Sequence, residues 1–266
     1  MMTEEFTKTD LKNITALQPE GWLDIIPFFK FYLDYPFCYP IKIKIKNRIV
    51  GIGTSIVFRN TAWLAHIIVH PDYRNKGFGS EIVTALLNKL KNLPCSTVLL
   101  IATEMGEPIY RKAGFKTDTE YFFLKGGIVK DEVVPPKEII SYDESYKNTI
   151  LLLDKRISGE IRKNILLDHL PGSKLFVKQG KLLGYYLSTL GEGLIVADAT
   201  EAGIELMKIK YSTISKASLP IDNKAGVEFL LKNNFVKTRK ALRMRLGKKI
   251  TWYPDKLFSR IGGHVG

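Results

Sequence analysis

The clearest pattern of hydrophobic and polar positions lies between residues 61 and 92. Residues 61–69, TAWLAHIIV, are mostly apolar, β-branched or aromatic, and this composition predicts a strand. From Ser80, the segment SEIVTALLNKL has apolar side chains at spacings of three and four, which predicts an amphipathic helix over 80–92. The joining segment, HPDYRNKGFG, is polar and carries two glycines. The sequence therefore predicts a strand, a tight turn and a helix.

Further elements are predicted on both sides of this turn. Residues 14–33 favour helices interrupted near Pro19 and Gly21, and residues 42–58 favour two strands around a turn at Asn47 and Arg48. Further along, the patterns predict a strand at 96–103, a short helix around 107–113 and a strand at 115–125. This mixture indicates an α/β or α+β sandwich.

The second half of the chain repeats the order of the first. KLLGYYL parallels RIVGIGT, GLIVADATEAGIELM parallels the strand, turn and helix, and FLLKNNFVKTRKALRM parallels PIYRKAGFKTDTEYFF. When Val196 is aligned with Val69, the residues Arg74, Gly77 and Gly79 fall opposite Glu201, Ile204 and Leu206. We therefore expect the second copy to keep the fold without the ligand of the first.

A boundary is predicted after Gly127. The segment KDEVVPPKE, residues 130–138, has charges and two prolines, which is typical of a linker. The predicted domains are residues 1–127 and 128–266.

Composition narrows the class of protein. The 266 residues are 45% hydrophobic and 25% charged, and no apolar run approaches the roughly 20 residues of a membrane span. The first residues, MMTEEFTKTDLKN, are polar and acidic, so we expect no signal peptide and a cytoplasmic location. Cys38 and Cys95 are the only cysteines, and their spacing indicates neither a disulfide framework nor a metal site.

The net charge of +13 favours anionic partners in general. The lysines are spread over the chain. In their densest run, IKIKIKNR at 41–48, lysine alternates with isoleucine, as in a strand with one solvent-exposed face. Because the chain has no zinc-finger spacing and no aromatic RNA-binding signature, a nucleic-acid partner is not expected.

The predicted turn before the helix has the geometry of an anion site. The first backbone N–H groups of a helix have no partner within it, and they lie at the positive end of its dipole. Gly77 and Gly79 let the main chain come close to a ligand there, while Arg74 and Lys76 add positive charge.

Two motifs carry a resemblance to a known family. Arg74-x-x-Gly77-x-Gly79, after a strand and at the head of a helix, resembles the acyl-CoA pyrophosphate loop of the GNAT N-acetyltransferase superfamily. IATEMGEPIYRKAGF resembles a later helix of that superfamily, in which a tyrosine precedes a Gly-Phe pair by four residues; here these are Tyr110, Gly114 and Phe115.

The resemblance covers about residues 10–125. The tandem layout, with EGW near the start and a second half ending in RMRLG, is similar to a bacterial subgroup with a degenerate second acetyltransferase-like domain. It implies an α/β (α+β) fold of two tandem domains, each a mixed, largely antiparallel twisted sheet flanked by helices. Residues 1–127 would be catalytic, and residues 128–266 would form a wall of the acceptor site.

The second half also contains the charged stretch LDKRISGEIRKN, residues 153–164. Asp154, Gly159 and Arg162 match a recurring pattern of the subgroup. Most charges of this stretch are expected on a solvated helix face.

The resemblance also implies a set of site residues. Acetyl-CoA would be the co-substrate, and Tyr110 would be the general acid that protonates the departing CoA thiolate. The end of a splayed strand would pair with the pantetheine arm. The residues implied to bind acetyl-CoA are Ile67, Ile68, Val69, Arg74, Asn75, Lys76, Gly77, Phe78, Gly79 and Ser80.

The general base is left open at this point. The strand TAWLAHIIV has no carboxylate, so His66 and a chain of water molecules are the two alternatives.

The implied reaction is direct attack by a primary amine on the thioester of acetyl-CoA. The acceptor would be a small molecule or a peptide, and its identity is not predicted. Two alternatives are an acyl-CoA-dependent O-acyltransferase and a non-catalytic regulatory protein that binds acyl-CoA. No metal and no membrane partner are expected, and no oligomeric state is predicted.

Overall fold

The computed structural model of the chain describes residues 3–129 and 135–266, so part of the predicted linker, residues 130–134, lies outside the described residues. Contacts within the chain divide it into two compact units. Unit 1 contains the residues up to Lys116 together with Met244–Lys249 and Gly263–Val265. Unit 2 contains Thr117–Arg243, Ile250–Gly262 and Gly266.

Both units mix strands and helices, as predicted. The strands are β1 Thr3–Glu5, β2 Cys38–Ile45, β3 Arg48–Phe58, β4 Thr61–Val69, β5 Thr97–Ala102, β6 Lys116–Lys125, β7 Ile139–Ser141, β8 Lys174–Lys178, β9 Lys181–Leu187, β10 Leu194–Ala197, β11 Lys216–Pro220, β12 Val236–Gly247 and β13 Leu257–Ser259. The α-helices are α1 Ile25–Asp34, α2 Phe78–Leu90, α3 Glu107–Lys112, α4 Lys147–Ser158, α5 Lys163–Leu166, α6 Thr200–Tyr211 and α7 Lys224–Lys232.

The sheet of unit 1 has the order β1-β2-β3-β4-β5, and residues 244–247 of β12 follow β5. β1 to β4 pair antiparallel with their neighbours, whereas β4 and β5 are parallel. The C-terminal segment is joined to β5: the Lys248 N–H donates to the Ser96 carbonyl (3.0 Å), and the Thr97 hydroxyl donates to the Lys248 carbonyl (2.9 Å).

Helix α2 packs its apolar stripe on this sheet, as its periodicity predicts. Ile82, Val83, Leu86 and Leu90 are all buried. A Cβ atom at Gly53 of β3 would lie only 2.6 Å from Ile82 Cγ2, so this glycine allows the helix to approach the strand closely.

Most predicted elements of the first half are confirmed, with two differences. The helical prediction for residues 14–33 is wrong before Ile25, because short 3-10 turns and a loop precede an α-helix that Asp24 caps by accepting from the Ile26 N–H (3.0 Å). The hairpin turn lies one residue earlier than predicted, at Lys46 and Asn47, where both residues have positive φ (45° and 64°), as a type I′ turn requires.

Unit 2 contains an antiparallel sheet of the order β13-β10-β9-β8-β7. It also contains β6, which lies between β11 and the first part of β12. Helix α6 packs against β9 and β10. The buried residues of this core include Leu206, Met207, Tyr211, Leu219 and Phe258.

The prediction that most charges of residues 153–164 lie on a solvated face is wrong for three of them. Asp154, Glu160 and Arg162 are 1%, 1% and 3% exposed. The Arg162 guanidinium donates two hydrogen bonds to Asp154 (2.6 and 3.1 Å), and the Tyr185 hydroxyl donates to the same carboxylate (2.6 Å). Buried charges require such partners because isolated burial costs too much free energy.

The division into 1–127 and 128–266, with catalysis in the first part and an acceptor-site wall in the second, stays a prediction about roles. Units 1 and 2 are defined by contacts within the chain and not by roles, and their boundaries differ from this predicted division. They differ from it because β6 pairs with β11, and because the last residues of β12 lie beside β5.

Candidate active site

The end of β4 contains a bulge. Ile68 pairs with Ile52 and Ala65 pairs with Thr54, so His66 and Ile67 together lie opposite the single residue Gly53. His66 has a φ of 47°. An extra residue in one strand bends that strand and re-aims its side chains, and such bulges are frequent beside active sites.

β4 and β5 diverge after Trp63, before the bulge. Their parallel pairing covers Thr61–Trp63 and Thr97–Leu99, although β4 continues to Val69 and β5 to Ala102. The strand end of β4 therefore has β3 on one side and no ladder with β5 on the other, which is the splay that the predicted pantetheine contact requires.

The backbone of Val69 points to the open side. The His70 N–H donates to the Val50 carbonyl (2.9 Å), so by the alternation of an antiparallel ladder His70 and Ile68 face β3 and Val69 faces away. The Val69 carbonyl accepts from Arg74 Nε (3.3 Å). Of the three predicted strand residues, Val69 thus offers its N–H to the open side, Ile68 is engaged with β3, and Ile67 lies in the bulge.

The loop between β4 and α2 spans residues 70–77. Asn75 and Gly77 have φ of 58° and 87°, and α2 begins at Phe78 with Gly77 as its N-cap. The Gly77 carbonyl accepts from the Glu81 N–H (3.0 Å), so the N–H groups of Phe78, Gly79 and Ser80 precede the first intrahelical bond. A Cβ atom at Gly77 would meet nothing within 4 Å, so the space beside this residue is open.

Charged side chains surround this helix start. Lys76 Nζ donates to the Asp72 carbonyl (2.8 Å), and Arg74 is tied to Val69, so both cations lie on the loop itself. Sequence reasoning missed Arg48, whose guanidinium lies 2.7 Å from Nε2 of His70, the first residue of the loop. Glu81 lies in the first turn of α2, and its negative charge opposes the positive charge of these side chains.

Helix α3 is in contact with the start of α2. A Cβ atom at Gly79 would lie 2.9 Å from Ile109 Cδ1, so Gly79 serves the packing of the two helices. The next residue on α3 is Tyr110, and a Cβ at Gly106 would lie 2.9 Å from its ring. The structure thus brings the predicted loop and the predicted tyrosine into one region of unit 1.

Tyr110 has the properties of a proton donor. Its side chain is buried, and burial raises its pKa to about 12. Its ring packs edge-on against Phe115 at 6.0 Å. Among residues 3–129 and 135–266, its hydroxyl has no hydrogen-bond partner, so at neutral pH it holds a proton that no described residue accepts.

Aromatic rings surround His66. The rings within about 6 Å belong to Trp22, Phe28, Phe29, Tyr32 and His264. The Tyr32 hydroxyl and His66 Nδ1 are hydrogen-bonded at 2.8 Å. Burial, with a smaller contribution from His264, lowers the His66 pKa to about 3.

Sequence reasoning missed these neighbours of His66. Phe28 and Tyr32 are four residues apart on α1, and this spacing could have marked one aromatic face. No local signal pointed to His264, which comes from the distant segment Gly263–Val265.

An open cavity of about 410 Å³ adjoins Trp22. Gln18 orders the loop beside it by donating to the carbonyls of Trp22 (3.2 Å) and Leu23 (3.1 Å) and accepting from the Ile25 N–H (3.0 Å). The cavity is lined by Thr15, Gln18, Trp22, Asp24 and Ile26.

In unit 2, the expected counterpart of the loop is missing. The ungapped alignment of Arg74, Gly77 and Gly79 with Glu201, Ile204 and Leu206 is wrong, because those three residues lie inside α6. Only residues 198 and 199 separate β10 from α6, against residues 70–77 between β4 and α2.

No group of three or more potential metal ligands occurs among the described residues. In the same part of the chain, no helix is long and apolar enough to cross a membrane.

Residues 4–115 match the model of the acetyltransferase (GNAT) family. The uncharacterised N-acetyltransferase ycf52 of Porphyra purpurea is 30% identical over 77 residues, which are 28% of this chain and 43% of that protein. Its namesake from Pyropia yezoensis is 25% identical over 127 residues, 41% of this chain and 69% of that protein. The chain thus spans less than half of the Porphyra protein.

Among solved structures, a candidate acetyltransferase from Pyrococcus horikoshii has the same fold. The TM-score is 0.83, over 100% of this chain and 95% of that one, at 18% identity. Residues 4–115 are thus similar in sequence to the GNAT acetyltransferase family, and the chain as a whole has the fold of the Pyrococcus protein.

Proposed function

We propose that the chain is an N-acetyltransferase that moves an acetyl group from acetyl-CoA to a primary amine. The observation that carries the proposal is the open edge of β4 beside the glycine-bearing start of α2, with Tyr110 on the adjoining α3. An open strand edge can pair with an amide-containing arm, and a helix start can hold a pyrophosphate.

The loop residues fit the pyrophosphate of CoA. The N–H groups of Phe78, Gly79 and Ser80 would donate to it, and Gly77 would leave room for it. Arg74 and Lys76 would balance its charge, while Asn75 would maintain the left-handed turn of the loop. Ile67, Ile68 and Val69 would line the pantetheine arm, with Val69 donating its N–H.

Two protons must move during the transfer. The amine loses one proton as its nitrogen forms a bond to the acetyl carbon, and the sulfur gains one as the C–S bond breaks. Tyr110 would donate the second proton, because burial keeps its phenol protonated and no described residue accepts from it. A chain of water molecules would carry away the first.

A screen of amine acceptors with acetyl-CoA, detecting released thiol, tests this function. We expect thiol release that depends on one class of amine and a product that carries an N-acetyl group. An ester product would favour the O-acyltransferase alternative. CoA binding without turnover of any acceptor would favour a regulatory protein. The acceptor, the cytoplasmic location and the absence of a nucleic-acid partner stay predictions.

A further inference from the structure

We propose that His66 is a hydrogen-bond donor that positions the acceptor through Nε2–H, and that it is not the general base. We further infer that the acceptor is the α-amine of a peptide, whose first carbonyl oxygen accepts from Nε2. This inference rests on the proposed N-acetyltransferase function and names the acceptor class of the same site.

The first step concerns the proton between Tyr32 and His66. Tyr32 is 1% exposed, and its hydroxyl is 2.8 Å from His66 Nδ1. Among the described residues, the hydroxyl has no other hydrogen-bond partner. If Nδ1 carried the proton and donated it, the phenolic hydrogen would be buried without an acceptor, which costs free energy. Tyr32 therefore donates and Nδ1 accepts.

The second step fixes the tautomer of His66. A neutral imidazole has one N–H and one lone pair available to accept. Since the lone pair of Nδ1 is taken by Tyr32, the proton lies on Nε2. Burial and His264 disfavour the doubly protonated ring, and burial raises the pKa of Tyr32 well above 10, so both groups are neutral at physiological pH. Neither ring nitrogen can then remove a proton from an ammonium group.

The third step concerns where the donor lies. His66 adopts a positive φ in the bulge and is adjacent to Ile67, at the start of the open edge of β4. Its ring is half-buried, and no described residue hydrogen-bonds to Nε2. Strained backbone at a bulge is typical of functional sites. The donor therefore lies beside the strand end where the thioester would be held.

The last step concerns what the donor selects. The titratable groups that face His66 are Tyr32 and His264, with Cys38 beyond Tyr32, and its other neighbours are the rings of Trp22, Phe28 and Phe29. No cation among them would balance a carboxylate, whose burial against one neutral donor is costly. An uncharged amide carbonyl suits the site, and in a peptide the first carbonyl oxygen is three bonds from the α-amine nitrogen.

The tautomer can be tested without any acceptor. Long-range ¹H–¹⁵N spectra of the histidine-labelled full chain, assigned with a His66→Gln variant, report which ring nitrogen carries the proton. We expect Nε2–H, unchanged between about pH 5.5 and 8.5 because burial lowers the His66 pKa to about 3. In Tyr32→Phe, we expect the Nδ1 signal to shift. A proton on Nδ1, or titration within this range, would overturn the proposal.

Kinetics test the acceptor class. The probes are a short peptide and the same peptide with its first carbonyl replaced by CH₂. His66→Gln keeps an N–H near the position of Nε2, whereas His66→Asn tolerates the positive φ but does not reach as far. We expect His66→Asn to raise the KM for the peptide about 5- to 10-fold, the usual effect of one lost hydrogen bond, and His66→Gln to raise it less.

Three outcomes decide the matter. A pH–rate profile unchanged in His66→Asn supports a positioning role, whereas loss of its rising limb would show that His66 is the base. Equal KM for the two peptides would exclude the carbonyl contact. Calorimetry with CoA on the unmodified chain tests the proposed function separately, so absence of CoA binding would refute that function while the spectra still decide the tautomer. Thermal unfolding of each variant controls for misfolding.

Discussion

The same strand–helix arrangement occurs in both units, but the strand edge differs. In unit 1, β4 loses its ladder with β5 after Trp63. In unit 2, β10 has β9 on one side and β13 on the other, with Ile195 paired with Ser259 and Val196 with Leu257. A strand that is paired on both sides has no backbone groups left for a ligand. Unit 2 therefore keeps the layers of the fold and lacks the open edge.

The first turns of α2 and α6 also differ in the space that they leave for a ligand. Gly77 of unit 1 faces open space, whereas a Cβ at Gly203 of α6 would overlap the ring of Phe258. The glycine of unit 2 thus admits an aromatic side chain of the core. Glu201, in the first turn of α6, is paired with Lys178 on the surface (2.8 Å).

The helices α3 and α7 end in the same way. The Phe115 N–H donates to the Tyr110 carbonyl, and the Phe235 N–H donates to the Leu230 carbonyl, both at 3.0 Å. Gly114 and Asn234 have positive φ at equivalent places. Leu230 therefore lies where unit 1 has Tyr110, so unit 2 lacks the hydroxyl that is the proposed proton donor, and it lacks the loop as well.

The largest expected effect comes from Tyr110→Phe, which gives unit 1 the apolar character of Leu230. We expect turnover to fall by roughly 100-fold or more, as for loss of a positioned acid, while CoA affinity stays within a few-fold. The fall in turnover should be smaller with an acyl donor whose thiol is more acidic, because that thiolate needs protonation less. Tyr121→Phe, which removes a buried hydroxyl of unit 2 without a partner among the described residues, is the matched control. Unchanged turnover in Tyr110→Phe, with chemistry rate-limiting, would reduce the tyrosine to a packing role.

The next effect concerns the loop. Arg74→Glu should weaken CoA binding by about 10- to 100-fold, because a charge-assisted contact becomes repulsive. Gly77→Val should weaken it by about 10-fold or more, because the left-handed φ of 87° disfavours a branched side chain by about 1–2 kcal/mol. Gly77→Asn tolerates this φ and so separates strain from steric access. If calorimetry shows normal CoA binding by Gly77→Val, then charge is the only contribution of the loop to CoA affinity.

A smaller change is expected when unit 2 is altered. Calorimetry of the unmodified chain should give one CoA per chain. Glu201→Arg places a cation near the start of α6. We still expect one CoA per chain, because β13 covers the edge of β10. Two equivalent sites in either protein would contradict the contrast between the units.

A separate expected effect is on the dependence of thermal stability on pH. The His66 pKa is lowered from 6.5 to about 3, so the unfolded chain binds a proton at His66 that the folded chain does not. This contribution is complete above about pH 6.5 and is lost as the pH falls towards 3. The thermal unfolding of His66→Asn should therefore depend less steeply on pH in this window. Burial also lowers the pKa of His169 in unit 2, so His169→Asn should flatten the pH dependence in the same direction and tests this linkage independently.

Sequence reasoning succeeded where the signal is local. The hydrophobic period of α2 and the composition of β4 predicted both elements, because a buried stripe and a buried strand constrain nearby residues. The repeat was also visible, because both units need the same core. Local patterns could not reveal the buried pair of Asp154 and Arg162, since charge in a sequence usually indicates a solvated face.

The neighbours of His66 show the same limit. A lone histidine in an apolar strand has no local signature, and its partners come from α1 and from Gly263–Val265. The missing loop of unit 2 was misjudged because an ungapped alignment cannot register a deletion. These features depend on contacts between residues distant in the chain.

The pairing of β5 with the segment at the end of β12 affects the order in which the chain can fold during synthesis. Thr97 and Lys248 are 151 positions apart, so a ribosome releases the first five strands long before their last neighbour exists. The nascent sheet of unit 1 then presents an unsatisfied edge along β5 while the rest is translated, which is a hazard for edge-to-edge aggregation. Contacts of such sequence separation also slow folding. The sheet of unit 1 can therefore be completed only after Met244–Lys249 has been synthesised.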